Sequence, residues 1–134
     1  MAGRARIILL WLITLFELVT MGVAGMGKLG AAAGRWQELF AGWGYPPGFS
    51  TVVGVVELIG VAALTVPALA SWAALLLGVV MVGALSTVLT HPGPMGPIAP
   101  LVHLLLLGII GSARWNRRLG HPSEVRENLP PAGP

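Results

Sequence analysis

Two glutamates stand inside uninterrupted apolar sequence, Glu17 in LLWLITLFELVTM and Glu57 in VVGVVELIGVAAL. An ionisable side chain carried into a bilayer costs roughly 2.5–3.5 kcal/mol on insertion scales, so each marks a site by default. Other chemistry-bearing groups accompany them. Lys28 follows Glu17 by eleven residues, three helical turns, which places both on one helical face. Gly83, Thr87 and His91 recur every four residues, as do Ser86 and Thr90, and His103 sits within LVHLLLL. The candidate set is Glu17, Lys28, Glu57, Thr87, His91 and His103. Its chemistry would be proton exchange at a carboxyl, with His91 titrating near neutral pH and Lys28 as the cation for an anionic ligand. Burial disfavours a charged carboxylate, so either glutamate is expected to be neutral unless Lys28 pairs with it.

Plainer roles exist for the same residues. A protonated glutamate can hydrogen-bond between helices as packing glue, and Gly54, Gly60, Gly78 and Gly83 favour close helix approach. Lys28 can anchor a helix end by extending its ammonium to the interface. His91 precedes Pro92 and can simply end a helix. Inventory closes off several other chemistries. Cysteine and aspartate are both absent, which removes disulfides, thiol chemistry, Cys-ligated zinc, iron–sulfur clusters and a Ser-His-Asp triad. No GxSxG, GxGxxG, P-loop or HExxH string occurs, and no metal site is assigned. His91 and His103 are the only pair for a bis-His haem, and nothing else asks for one.

What positions these groups follows from composition. Hydrophobic residues make up 55% of the 134 and charged residues 10%, far from the ~25% charged of a soluble domain. Four apolar runs, 7–27, 48–66, 68–90 and 97–115, each approach the ~20 residues needed to cross a bilayer as a helix. The fold expected is all-α: an integral membrane four-helix antiparallel bundle. A signal peptide is the rival for the first run, but Glu17 and Lys28 argue for an uncleaved helix. Between the first two runs, Trp36, Leu39, Phe40 and Trp43 fall on one face, predicting a short interfacial helix over 31–42. The domain expected is 1–115, followed by a polar, Pro-rich tail, 116–134, read as disordered and cytoplasmic.

Orientation follows from the cations. With four spans the termini share a side, and that side carries Arg4, Arg6, Arg114, Arg117, Arg118 and Arg126 against Lys28 and Arg35 opposite. Both termini are therefore expected in the cytoplasm, and the polar groups in the outer half of the bundle. Net charge of only +3 speaks of membrane orientation and not of nucleic acid.

The landmarks also carry a likeness. The first run ends GVAGMGKL, an aromatic stretch leads to WGYPPGF, the second carries GVVELIGVAALTVP and the third ends MVGALSTVLTHP. Over residues 7–112 this resembles the DoxX-like family of small four-helix membrane proteins. The family pattern falls on Lys28, Pro46, Gly54, Glu57, Gly60, Thr90 and His91; Glu17 lies outside it. The resemblance implies a bacterial inner-membrane protein, an accessory or quinone-linked subunit of a redox system, as founding relatives resemble part of a thiosulfate:quinone oxidoreductase. Without cysteine, any thiol role would come from a partner chain. Two alternatives stay open: a structural subunit of a larger membrane complex, and a small proton-coupled transporter built on Glu17. Beyond the bilayer, the partner expected is a membrane protein or a second copy of the chain.

Overall fold

A computed structural model describes residues 2–119, and among these it forms five helices and no strands: α1 (Ala2–Leu29), α2 (Ala33–Gly42), α3 (Phe49–Leu64), α4 (Ala70–Thr90) and α5 (Ile98–Leu119). Helix α5 continues past Trp115 to Leu119, so the expected tail overlaps the helix by a turn; its remainder lies outside the described residues.

Three helices, α1, α4 and α5, are long and apolar enough to cross a membrane. Helix α3 differs from the expectation for its run. It has 16 residues, about 24 Å of helix against a hydrocarbon core of about 30 Å. Gly48, at φ +82°, sets its start, and the Thr65–Leu69 turn before α4 ends it.

Burial is inverted relative to a soluble protein. Ile8, Leu12, Val19 and Val23 on α1, and Leu75, Val79 and Val82 on α4, are exposed, whereas Glu17, Lys28 and Glu57 are buried. An apolar exterior around charged interior groups suits a lipid solvent, and these helices contact the bilayer.

Helix α1 packs on α3, α3 on α4, α4 on α5, and α5 back on α1. Neighbours run antiparallel. Gly25 lies beside Leu58 and Gly54 beside Lys28 and Leu29, so α1 ascends as α3 descends. Gly111 faces Ala74 and Trp115 pairs with Trp72, which gives α4 and α5 the same relation.

The buried stripe of α1 is Leu10, Thr14, Glu17, Met21 and Lys28, at steps of three, four and seven. Glu17 and Lys28 share this face, as their spacing requires. The apolar core, Met21, Val61, Leu64, Ala73, Ala74, Leu77, Met81, Leu107 and Ile110, gathers between the helices. Tryptophans sort by end: Trp72 pairs with Trp115 and Trp11 lies against Arg114, while Trp36 and Trp43 surround Phe40 at the other end.

Candidate functional site

A close approach of α1 and α3 creates the first pair. A Cβ on Gly54 would lie 2.8 Å from Lys28 Cβ and 3.0 Å from the Gly25 carbonyl oxygen, so only glycine lets α1 and α3 come this near. At that separation Lys28 Nζ donates to Glu57 Oε2 at 2.7 Å, and both side chains are about 5% exposed. Nζ also lies 3.4 Å from the Ala24 carbonyl, one turn back along α1, and 4.4 Å from the centre of the Trp36 ring. The ammonium is thus enclosed by a carboxylate, a carbonyl and an aromatic face. Lys28 does not extend to the interface, because α2 closes over it.

The second pair joins α1 to α5. His103 Nδ1 and Glu17 Oε2 share a hydrogen bond at 2.9 Å, and Phe16 stacks on the imidazole with 6.2 Å between ring centres. Glu17 has no exposed surface, and its other oxygen, Oε1, has no hydrogen-bond partner among the described residues. The two acids form separate pairs. Glu57 pairs with Lys28, and Glu17 lies three turns from Lys28 along α1.

Thr87 is buried on α4, where its hydroxyl donates to the Gly83 carbonyl at 2.8 Å. With that hydrogen committed, Tyr45 is the donor in the 2.6 Å contact between its hydroxyl and Thr87 Oγ1. His91 stands apart. It caps the C-terminal end of α4, is exposed, and hydrogen-bonds Thr90 Oγ1 at 3.0 Å. Among the described residues, no three His, Asp or Glu side chains gather as metal ligands.

Sequence reasoning missed two contributors. Trp36 was placed on the face of the interfacial helix without its ammonium partner. Tyr45 was read only as part of the turn, although it is the one tyrosine, and a phenol at a membrane edge calls for a hydroxyl partner. It stacks on Phe49 at 4.7 Å and packs on Phe40, tying the GYPPG turn to α2 and α3.

Two grooves open on the surface. One, of about 700 Å³, lies between α4 and α5; the other, of about 590 Å³, lies between α2 and the loop holding Pro94 and Met95. Neither is lined by a member of the two acid–base pairs.

The sequence profile of the DoxX-like family matches residues 12–110, from α1 through α5. The chain belongs to the DoxX-like family. No curated protein and no solved structure matches it. All six candidate residues of this DoxX-like protein fall within the matched span. Several pattern positions now have physical roles. Gly54 admits Lys28 to Glu57, Gly60 seats Leu77, whose side chain would lie 2.5 Å from an added Cβ, and Thr90 holds His91.

Proposed function

We propose that this DoxX-like protein is a four-span bacterial inner-membrane protein, an accessory or quinone-linked subunit of a membrane redox system, whose embedded acid–base pairs hold and pass protons. The observation that carries this reading is Glu17: a fully buried carboxylate with one oxygen on His103 and the other without a partner. Leaving a buried acceptor unpaired costs about 1–3 kcal/mol, more if it is charged. A group that donates to Oε1 would relieve that cost.

The polar atoms of this pair suit the hydroxyl of a quinol headgroup, although neither groove reaches them. Glu17 Oε1 offers an acceptor, and His103, with Nδ1 committed to Glu17, keeps Nε2 as a second polar atom. Bound there, a quinone would supply two-electron chemistry. Glu17 would hold a hydroxyl hydrogen, His103 would carry the accompanying proton, and Phe16 would fix the imidazole plane. Lys28 and Glu57 would keep a second charge pair at the far side of the cluster. Purification in mild detergent tests this by three readings: extractable quinone, haem absorbance and stoichiometric partner chains. Quinone or a redox partner is the expected result. A chain free of all three sinks the redox reading.

A structural accessory role is favoured by a different observation. Lys28 and Glu57 lock α1 to α3 where Gly54 brings them together, as a packing device would. On that reading no chemistry is needed.

The topology proposed places α1, α3, α4 and α5 across the membrane, with α2 lying flat at the outer surface and both termini in the cytoplasm. Helix α3 would cross by local thinning of the bilayer, at a cost of fractions of a kcal/mol per Å. A reporter active only in the cytoplasm should give signal when attached at residue 134 and none at residue 94. The reverse pattern ends this topology.

A further inference from the structure

Helix α2 covers the Lys28–Glu57 pair but is lightly anchored. Its ten residues, about three turns, are too few to hold a helix by themselves. Phe40 is its one buried residue, while Gly34, Arg35, Gln37, Glu38, Ala41 and Gly42 are exposed. Segments with so few buried contacts open at low cost. Both ends are glycine joints. Gly30 leads in through the Ala31–Ala32 turn, and Gly44, at φ +83°, leads out towards Pro46.

What lies beneath opposes the closed position. The Lys28 and Glu57 side chains, 5% and 4% exposed, have both given up water. Ser50 stands one turn before Gly54 on α3, towards the α1–α2 joint. It is 1% exposed, and its hydroxyl has no partner among the described residues. An unpaired buried hydroxyl favours any state that lets water reach it. Three contacts hold α2 down against this. The Trp36 ring lies 4.4 Å from Lys28 Nζ, and Phe40 packs among Trp43, Tyr45 and Phe49. The third is Tyr45, whose N–H donates to the Phe40 carbonyl at 3.0 Å and whose hydroxyl donates to Thr87 at 2.6 Å. That residue ties the end of α2 to α4, a helix outside the α1–α3 contact.

We infer that α2 is a lid, which lifts about its glycine joints to let water and small ions reach Lys28 and Glu57, with the Tyr45–Thr87 hydrogen bond as its latch. A few terminal and loop residues are enough to absorb such a hinge motion. Lifting hydrates the ion pair and the Ser50 hydroxyl; closing restores the aromatic contacts and the latch. The lid depends neither on the redox reading nor on which side of the membrane α2 faces, so either can fail alone.

Lys28 is the single lysine of the chain, so access to it can be read directly. The full chain in mild detergent is treated with a water-soluble acetylating ester, and acetylation of Lys28 is followed by peptide mass spectrometry against the chain's α-amine. Slow acetylation of the folded chain is expected. It should rise about fivefold in Tyr45→Phe and in Thr87→Val, the value of one lost hydrogen bond. The two changes together should add little to either alone, because they remove the same bond. Leu77→Ala separates lid opening from unfolding: it weakens the core against Gly60 and should leave the rate near that of the unaltered chain. Equal acceleration in Leu77→Ala overturns the inference. So does an unchanged rate in Tyr45→Phe, which decides alone if Thr87→Val does not fold, or a Lys28 that reacts only in the denatured chain.

Discussion

Glu57→Leu alone is expected to destabilise the protein by about 3 kcal/mol, and Lys28→Met in the same chain to recover most of that loss. The single change strands an ammonium beneath α2, with only the Ala24 carbonyl and the Trp36 ring left to it. Removing both partners leaves two apolar side chains where both charges had been desolvated, which is close to neutral. Denaturant unfolding in detergent, followed by circular dichroism, measures both. A double variant no more stable than Glu57→Leu would show that the pair is not what joins α1 to α3. Glu57→Gln keeps the volume but not the charge, so Lys28 also loses its counter-ion in that variant. It is therefore a poor probe of proton chemistry at this position.

The cleaner probe is Glu17. Glu17→Gln retains an amide that can accept from or donate to His103 Nδ1, so assembly should be spared, with a stability change below about 1 kcal/mol. Proton exchange at the position is lost. If Glu17 serves a redox partner, partner-coupled turnover should fall by about 100-fold or more, the usual value of a positioned acid or base. Assembly is read by co-purification, and turnover by quinone reduction in the purified assembly. Unchanged turnover in the glutamine variant would leave Glu17 a packing group and favour the structural accessory reading.

Part of the candidate site was legible because helical geometry is local. The eleven-residue interval between Glu17 and Lys28 placed them on one face of α1, and both are buried on it. Apolar runs located α1, α4 and α5 to within a few residues, because lipid demands continuous helices of known length. Partner choice was not local. Glu57 meets Lys28 because Gly54 lets two backbones approach, and a glycine six residues into an apolar run does not announce which helix it admits.

Histidines show the same division. In sequence His91 precedes a proline and can end a helix, whereas His103 sits within LVHLLLL. In the folded chain His91 is exposed on the cap of α4, while His103 turns into the interior to meet Glu17. A side chain's helix follows from its neighbours in sequence; whether it faces water, lipid or an acid depends on which helix lies beside it. The amino-acid sequence by itself determined the apolar helices, the lipid solvent and the charged residues that would need partners, because hydropathy and helical period act over a few turns. Tertiary structure alone decided the partners, Lys28 with Glu57 and His103 with Glu17, because contacts between residues 29 and 86 positions apart depend on how closely and in what register whole helices pack.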